Sequence, residues 1–327
     1  MKVTIKELAK HCDVSIGTID RVLNNRKGVS PATKEKVLTA VKDLNYAPNY
    51  MAQSLTGKKT KSIGIVLYNL HNIFFSQLSD AIVSACCEAG YFPYLMLSEK
   101  SKAREEAIIR ELLSRRIDGL LLFSTNTDEE FYMLLKNAGI PVVNVMSVLK
   151  DFVHVGIDDF KAMYEATRYV LNHQYRRVVY ISPPLSYMDM NIAVQVSRYK
   201  GFQQAVDESG IDHLVIKEPQ YLARVDEMVV PDITRKKTAF LCSSDVYSMN
   251  LVRFMKQKGL NAPFQFGVLG FDNISTLQYI EPAISTISVP IQEVGYKAVQ
   301  VLTNGINGYP MESVLLPHSI VMGQTIV

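Results

Sequence analysis

The chain has few cysteines and no long run of apolar residues. Its four cysteines, Cys12, Cys86, Cys87 and Cys242, have no spacing that suits a zinc site, and the vicinal pair makes a poor disulfide. We expect all four to be small apolar core residues in a reducing compartment. The N-terminus is charged where a signal peptide is apolar, and no segment reaches membrane-spanning length. These absences favour a cytoplasmic protein with no membrane partner.

Motifs of the common enzyme classes are also absent. The chain has no glycine-rich phosphate loop, no Gly-x-Ser-x-Gly nucleophile elbow and no His/Asp cluster with the spacing of metal ligands. Its six histidines are scattered, which is typical of surface or capping residues. We therefore predict no enzyme activity, no catalytic residue, no metal site and no cofactor. Turnover of a bound sugar would revive the enzyme alternative.

The charges that are present are unevenly distributed. Residues 1–61 hold twelve Lys/Arg against five Asp/Glu, whereas the other residues hold 23 against 27. At 327 residues the chain is long enough for more than one compact unit, and its 48% hydrophobic content is ordinary for a globular protein. A basic head on a mildly acidic body predicts a polyanionic partner for the head alone.

Three short helices are predicted in the head, at residues 1–46. Thr4 and Glu7 fit a capping box at the start of the first helix. Ser15 caps the second, which we place at residues 15–25 with Ile19, Val22 and Leu23 on its buried face. A short turn between the first two helices makes a helix-turn-helix.

The third helix opens with Ser30 as its cap and Pro31 at its first position, an arrangement that suits the free amides of a helix start. Its apolar residues recur at helical spacing. We expect the buried stripe of this helix to be Val37, Leu38, Val41 and Leu44.

The head resembles the headpiece and hinge of the lactose-repressor (LacI) family. The resemblance runs through "VTIKELAKHCDVSIGTIDRVLNN" and "LNYAPNYMAQSLTGKK", which follow the family patterns T-I-x-D-V-A-x-x-A-G-V-S-x-x-T-V-S-R-V-L-N and L-N-Y-x-P-N-x-x-A-x-x-L. It implies that Ile16, Gly17 and Arg21 read base edges, since arginine suits guanine. Positions that contact phosphate in the family are matched by Ser15, Thr18 and Asn24. We also place Thr4 and Asp20 among the DNA-binding residues.

Residues 47–61 are predicted to form a hinge helix and linker. Asn49 to Gly57 is a capped segment that is too short to be stable alone, because helix nucleation is costly. A helix that forms only when bound acts as a switch. The resemblance implies that Leu55 wedges into the minor groove of DNA with Ala52 beside it, and that Asn49 caps the hinge.

Asp20 is unusual in a helix that contacts DNA, because its carboxylate repels phosphate. Most of the family carries serine at this position. Three interpretations stay open: Asp20 holds Arg21 or Arg26 in a fixed pose, accepts a hydrogen bond from cytosine, or is solvated and weakens nonspecific binding.

The body, at residues 62–327, alternates apolar runs with amphipathic stretches. This pattern predicts parallel sheets covered on both faces by helices, in two similar units with a ligand cleft between them. The predicted strands are 63–67, 94–97, 119–123, 141–145, 178–182, 239–242, 266–271 and 285–289. The predicted helices are 75–89, 103–115, 161–173, 198–209, 247–258 and 291–303.

The resemblance continues through "SIGIVLYNLHNIFFSQLSDAI", "VGIDDF", "SRYKGFQQAV" and "GVLGFDN". It implies a fold that joins an all-α helix-turn-helix headpiece to an α/β core of two doubly wound parallel-sheet subdomains, similar to periplasmic sugar-binding proteins. The N-subdomain is expected at about 62–159 and 290–318. The C-subdomain is expected at about 160–289 and 319–327.

The same resemblance implies an effector site. Arg198 and Asp272 match the two recurrent effector contacts, since guanidinium and carboxylate groups suit vicinal hydroxyls. Other cleft positions are matched by Phe74, Phe75, Asp158 and Ser244. We interpret Asp245 as a helix cap.

Departures from the family pattern make one half of this pocket less polar. Met146 stands where many relatives have Asp, and Phe123 stands at a further cleft position. The segment before Arg198 is long. These changes leave open a sugar, a modified sugar, an aglycone or another small metabolite.

Taken together, the residues predict an effector-responsive transcription regulator, most simply a repressor. It would bind a palindromic DNA operator as a homodimer. No leucine heptads, which could join two dimers into a tetramer, follow the last strand pattern. The alternative is a cytoplasmic sugar-binding receptor module without a DNA function.

Overall fold

A computed structural model describes residues 3–23, 26–46, 59–185 and 190–327. Contacts divide the chain into two compact units, Met1–Thr60 and Lys61–Val327. We describe each unit by itself, and call them the headpiece and the core. Four of the predicted DNA-binding residues lie outside the described residues: Asn24, Asn49, Ala52 and Leu55.

The headpiece contains the helices α1 (Ile5–His11), α2 (Ile16–Leu23) and α3 (Pro31–Asp43). The predicted capping box of α1 is confirmed. The amide of Glu7 donates to the Thr4 hydroxyl over 3.3 Å, and the Thr4 amide donates to Glu7 Oε2 over 2.7 Å. Both amides would otherwise lack a partner at the start of the helix.

The caps of the other two helices follow the same logic. Ser15 Oγ accepts from the Thr18 amide over 3.1 Å, and Ser30 Oγ accepts from the Thr33 amide over 3.2 Å. Pro31 occupies the first turn of α3, as predicted. The three helices close on a small core that includes Leu8, Cys12, Ile19 and Val37, all fully buried.

One residue of the predicted α3 stripe is wrong. Leu38 is 41% exposed, whereas Ala40 is buried. Val37 and Ala40 are three residues apart and share a helix face, while Leu38 is rotated by about 100° from Val37. An apolar side chain next to a buried stripe is therefore not part of it.

The core contains two parallel sheets covered by helices, which confirms the predicted fold class. The strands are β1 (Ser62–Leu67), β2 (Phe92–Leu97), β3 (Gly119–Leu122), β4 (Val142–Val145), β5 (Val153–Ile157), β6 (Arg177–Ile181), β7 (Asp212–Ile216), β8 (Thr238–Cys242), β9 (Phe266–Asp272), β10 (Ser285–Ser288), β11 (Val314–Leu316) and β12 (Ser319–Val321). The helices are α4 (Ile73–Glu88), α5 (Lys102–Ser114), α6 (Glu129–Lys136), α7 (Asp159–Leu171), α8 (Ala193–Ser209), α9 (Tyr221–Met228), α10 (Asp245–Gln257) and α11 (Ile291–Ile306). Short 3₁₀ turns cover Val230–Asp232 and Ser275–Tyr279.

Within the described residues each sheet has six strands. The first has the order β11-β5-β4-β3-β1-β2 and is parallel throughout. The second has the order β12-β10-β9-β8-β6-β7, in which only β12 runs antiparallel to its neighbour. Central strands such as β1, β3 and β8 are buried along their whole length, because helices cover both faces.

The chain passes between the two sheets three times. It leaves the first sheet after β5, and α11 returns from β10 to pack on α4 and on β3 and β4. It then forms β11 in the first sheet and β12 in the second, with Pro317 and His318 between them. This connectivity places the carboxyl ends of several strands from both sheets around one cavity.

The sequence patterns missed four elements of the core, in addition to the short strands β11 and β12, which were recognised only as one final strand pattern. The strands β5 and β7 carry polar or glycine residues, "VHVGI" and "DHLVI", which weaken the apolar signal of a strand. The helices α6 and α9 have only eight residues each. Short elements leave too few periodic positions for the pattern to stand out.

The cysteines correct one further expectation. All four cysteines are free, but Cys87 is exposed, so its assignment to the core was wrong. It follows Cys86 on α4, whose other face is buried. Among the described residues, no helix combines the length and apolar composition needed to cross a membrane.

Candidate functional site

The outer face of α2 presents a set of side chains that the headpiece core does not use. Ser15, Ile16, Gly17 and Arg21 are exposed, whereas Ile19 and Val22 on the opposite face are buried. Thr18 is half-buried, and its hydroxyl lies 3.0 Å from that of Ser15. The free amides at the start of a helix favour negatively charged groups. This face can therefore meet phosphate at its first turn and a base edge through Arg21.

Gly17 is not required by the packing of the headpiece. A Cβ atom at this position would meet only Ser15 Oγ, at an ordinary van der Waals distance of 3.6 Å. Glycine inside a helix costs about 1 kcal/mol relative to alanine. The residue keeps the outer surface of α2 flat, which permits a close approach by another molecule.

The structure places Thr4 and Asp20 in contacts within the headpiece. The hydroxyl of Thr4 donates to Glu7 over 2.9 Å and is engaged in the α1 cap. Asp20 Oδ2 lies 3.5 Å from Arg26 Nη1, with 15% of the Asp20 side chain and 64% of the Arg26 side chain exposed. Of the three interpretations of Asp20, this contact agrees with the one in which Asp20 orients an arginine, here Arg26.

The core holds a cavity of about 590 Å³ between its two sheets. Tyr68, Phe123 and Met146 directly follow β1, β3 and β4, while Ser243 follows β8 and Asp272 ends β9. Ligands of open parallel sheets bind at these carboxyl ends. Five of the predicted effector residues line the cavity: Phe74, Phe75, Arg198, Ser244 and Asp272.

Asp158 does not line this cavity. Its carboxylate accepts from the Lys161 amide over 2.9 Å and caps α7. The next residue, Asp159, instead points to Arg198. Of the two consecutive aspartates of "GIDDF", Asp158 caps a helix and Asp159 is the buried ion-pair partner of Arg198. The sequence alone did not distinguish these two roles.

Arg198 is the central charge of the cavity. Its Nε donates to Asp159 Oδ1 over 2.7 Å, its Nη1 donates to the Ser243 carbonyl over 2.6 Å, and Nη1 lies 3.6 Å from Asp272 Oδ1. The guanidinium carbon lies 3.5 Å from the centre of the Phe271 ring. Arg198 and both carboxylates are buried, so each charge depends on the others.

The close packing of α7 and α8 makes this network possible. A Cβ atom at Gly201 would collide with the carbonyl oxygen of Phe160, so glycine lets α8 approach α7 directly. Arg198 lies one turn before Gly201 and Asp159 directly precedes Phe160. The glycine thereby brings the guanidinium and the carboxylate together.

A further buried carboxylate, that of Asp245, lies near Asp272. Asp245 is fully buried and accepts from Thr286 Oγ1 over 2.6 Å and from the Ile274 amide over 3.0 Å. Its interpretation as a helix cap is wrong, because its oxygens face β10 and the turn after β9. Burial raises the pKa of Asp245 to about 7. Burial also raises the pKa of Asp272 and of Asp159, although Arg198 opposes both shifts.

Four aromatic side chains line the same cavity and form what we call the aromatic wall: Tyr68, Phe74, Phe75 and Phe123. The Phe75 ring centre lies 4.8 Å from that of Phe123, 5.5 Å from that of Tyr68 and 5.3 Å from that of Phe74. Met146 adds a further apolar side chain to the lining. The predicted loss of polarity in this half of the pocket agrees with these contacts, and Phe74 and Phe75 both belong to the wall.

Three of the lining residues have left-handed backbone conformations although none is glycine. The φ angles are 65° at Lys100, 52° at Met146 and 112° at Asp272. Such conformations cost of order 1–3 kcal/mol each and persist where the surroundings impose them. Their presence around one cavity agrees with a binding site.

Sequence reasoning missed a contact that joins the two sides of the cavity. The backbone amide of Asn191 donates to the Thr125 carbonyl over 2.9 Å, and the side-chain Nδ2 of Asn191 donates to the Val148 carbonyl over 3.0 Å. Buried Glu105 holds the Thr125 loop by accepting from the Thr125 amide over 3.0 Å and from Ser124 Oγ over 2.7 Å. Burial raises the pKa of Glu105. The contacts depend on loops, which carry no periodic signal.

The part of the chain that the structure describes contains no group of three or more His, Cys, Asp or Glu residues that could hold a metal ion. The arrangement of the cavity suits a ligand that offers hydroxyl groups to Asp272 and Ser244 and an apolar face to the aromatic wall.

Two family models match the chain. Residues 4–49 match the bacterial regulatory proteins of the lacI family, and residues 167–326 match the periplasmic binding protein-like domain. The chain is 30% identical over 318 residues to the HTH-type transcriptional repressor PurR of Vibrio atlanticus, covering 93% of this chain and 92% of that protein. It is 28% identical over 336 residues to catabolite control protein A of Priestia megaterium, covering 99% of each.

Solved structures share the fold. A lac repressor dimer bound to operator and the anti-inducer ONPF aligns with a TM-score of 0.84 at 23% identity, covering 99% of each chain. A complex of the transcriptional regulator CelR with cellobiose aligns with a TM-score of 0.70 at 24% identity, covering 99% of this chain and 100% of that one.

Proposed function

This chain belongs to the lacI family of bacterial regulatory proteins, and from that membership we propose which function each of its two units performs. It is a DNA-binding transcriptional regulator that responds to a small molecule and is not an enzyme. We propose that it acts as a repressor in the cytoplasm, and that it binds a pseudo-palindromic operator as a homodimer.

The observation that carries this proposal is the exposed face of α2. Ile16, Gly17 and Arg21 lie on the outside of a basic three-helix unit without packing into its interior, and Ser15, which caps α2, is exposed beside them. In the proposal Arg21, Ile16 and Gly17 meet base edges, and Ser15 and Thr18 meet phosphate. Asp20 acts through Arg26. Thr4 and the residues outside the described ranges keep their predicted roles: Asn24, Asn49, Ala52 and Leu55.

The core supplies the effector site in this proposal. Arg198, Asp272 and Ser244 bind the polar side of the effector, while Phe74 and Phe75 contact its apolar face. The subdomains are proposed at about 62–159 with 290–318 and about 160–289 with 319–327, a division that the strand content of the two sheets supports. Effector binding favours one arrangement of the subdomains, and DNA affinity changes by the same coupling free energy.

Selection from a randomised DNA library tests the DNA-binding half. The full-length protein is expected to enrich a pseudo-palindromic sequence, and Arg21→Ala is expected to lose about 1–3 kcal/mol of binding free energy and to relax one base position. The matched control is Arg110→Ala, because Arg110 is an exposed core residue paired with Glu106. If no palindromic DNA binds better than random DNA, the proposal fails.

A thermal-shift screen of sugars and related metabolites tests the effector half. A ligand at 100 times its dissociation constant stabilises the protein by about 2.7 kcal/mol. Any hit must also change operator affinity in wild-type protein and lose its effect in Asp272→Asn. A ligand that stabilises the core without changing operator affinity would support the receptor-module alternative.

A further inference from the structure

Lys100 is held at the edge of the effector cavity by a constrained turn. Glu99 and Lys100 have φ angles of 50° and 65°, in the turn between β2 and α5. The turn is attached to the end of β1, because the Ser98 amide donates to the Leu67 carbonyl over 2.9 Å and the Glu99 amide donates to the Tyr68 carbonyl over 2.8 Å. Two consecutive left-handed residues are costly. The backbone conformation of this turn therefore holds the Lys100 side chain at the cavity.

Lys100 differs from the cations that follow it in the first turn of α5. Lys102 lies 2.8 Å from Asp128, and Arg104 lies 3.0 Å from Glu99. Among the described residues no carboxylate forms an ion pair with Lys100, whose ammonium instead lies 5.3 Å from the centre of the Tyr68 ring. Glu99 and Asp128 thus pair with the two cations of α5, and the Lys100 ammonium lies beside the aromatic wall.

Arg198, the other cation of the cavity lining, already lies among carboxyl groups. Its Nε donates to Asp159, its Nη1 donates to the Ser243 carbonyl, and Asp272 Oδ1 lies 3.6 Å from Nη1. Asp245 adds a further carboxyl group nearby. An anion at this end would meet three carboxyl groups for one guanidinium. The two ends of the cavity therefore differ: one accepts hydrogen bonds from hydroxyls, and the other carries a positive charge beside aromatic rings.

We propose that the effector is an acidic sugar, a hydroxylated ring whose carboxylate or phosphate group binds Lys100 while the ring lies against Tyr68, Phe75 and Phe123. This proposal rests on the proposed effector role of the cavity and narrows its ligand class. Tyr68 contacts both parts: its ring lies 5.5 Å from that of Phe75 and 6.2 Å from that of Phe123, and it faces the Lys100 ammonium. A ring packed there brings its acidic substituent within reach of the charge.

The test compares matched neutral and acidic probes by calorimetry on the full-length protein. The neutral probes are the p-nitrophenyl β-glycosides of glucose and galactose. Each has two acidic counterparts, the uronide and the phosphate ester at the primary hydroxyl, which separate carboxylate from phosphate recognition. For at least one sugar we expect an acidic member to bind about tenfold more tightly than its neutral counterpart, as a charge-assisted contact implies. The preference should shrink at an ionic strength of about 1 M, where the Debye length is about 3 Å.

Two variants locate the effect. Lys100→Gln is expected to weaken the acidic member until it binds no more tightly than its neutral counterpart, and Lys102→Gln is the matched control because its charge is already paired. Both side chains lie outside the buried core, and unchanged melting temperatures verify folding. Equal or tighter binding of the neutral member overturns the proposal, as does a preference that survives Lys100→Gln or the failure of every acidic probe to bind. Operator selection by the unliganded protein does not depend on these results. The proposed regulatory function is therefore tested separately, by the selection from a randomised DNA library.

Discussion

The charged residues of the headpiece and of the core cavity differ in their exposure. In the headpiece, Asp20 and Arg26 lie 3.5 Å apart, and 64% of the Arg26 side chain is exposed. In the cavity, Arg198 and Asp159 lie 2.7 Å apart, and less than a tenth of either side chain is exposed. An exposed pair contributes little to stability and can exchange its partner for phosphate or a base. A buried pair is costly to break, because the remaining charge stays desolvated.

This difference assigns separate physical tasks to the two regions. The headpiece charges are available to a polyanion because water already screens them. The cavity charges are held in fixed positions and can select a ligand by its shape and polar groups, because they cannot reorient without loss of stability. Four predictions test this contrast, from the largest expected change in stability to the smallest.

Arg198→Met is expected to lower the free energy of unfolding by about 3–5 kcal/mol, since Asp159 and Asp272 lose their buried partner. Urea denaturation of the full chain measures the loss. The control is Arg110→Met, whose exposed pair with Glu106 spans 2.7 Å and should be worth less than about 1 kcal/mol. Similar effects of the two substitutions would contradict the contrast between buried and exposed charges.

Asp245→Asn is expected to change how stability depends on pH. The folded pKa is raised to about 7, above the ordinary value of about 3.9, so between these values only the folded state retains the proton. Stability should therefore be greatest at acidic pH and decline as pH rises from about 4 to about 7. The variant should make this decline shallower, as measured by denaturation across the range, while Asp272, Asp159 and Glu105 retain their share of it because burial also raises their pKa values.

Asp232→Asn is the control of opposite sign. Hydrogen bonds from Arg177 lower the pKa of Asp232, so its stabilising effect is present above the ordinary pKa and is lost as pH falls through the folded value. This variant should destabilise the protein at neutral pH and flatten only the acidic end of the curve. A decline between pH 4 and 7 that is as steep in Asp245→Asn as in wild type would show that Asp245 does not contribute to it.

Gly17→Ala is expected to separate headpiece stability from DNA binding. The Cβ atom fits, so the headpiece should gain up to about 1 kcal/mol, measured by amide hydrogen exchange in α1–α3. Operator affinity should fall, because the methyl group occupies the proposed contact surface. Gly28→Ala is the control: its φ of 95° makes alanine strained there, so the headpiece should be destabilised. Unchanged operator affinity in Gly17→Ala would remove Gly17 from the interface.

Asp20→Asn is expected to change stability by less than about 0.5 kcal/mol but to alter base preference in a randomised operator library. Asp13→Asn removes the same charge from the turn before α2 and is the matched control. Both variants should raise affinity for random DNA through reduced repulsion of phosphate. Only Asp20→Asn should shift the selected sequence, and identical sequence logos for the two variants would reduce Asp20 to a general charge effect.

Local rules were sufficient where a feature depends on neighbours in the chain. The Thr4 and Ser30 caps satisfy amides within three residues, and both are present as predicted. The alternation of apolar runs and amphipathic helices was enough to predict two parallel sheets, because covered sheets need strands that are apolar on both faces. The failures at Leu38 and Asp245 arose where a residue type is compatible with two environments.

The sequence by itself determined the headpiece caps, the layered α/β core and, through its resemblance to a family, the set of candidates that contains Arg198 and Asp272. Only the tertiary structure decided that Asp159 rather than Asp158 meets Arg198, that Asp245 lies behind them, and that Lys100 stands without an ion-pair partner among the described residues beside the aromatic wall. The physical reason is distance along the chain. Caps and periodicity act within a few residues, whereas the cavity gathers strand ends and loops separated by up to about two hundred residues, whose approach is set by the packing of whole helices and sheets.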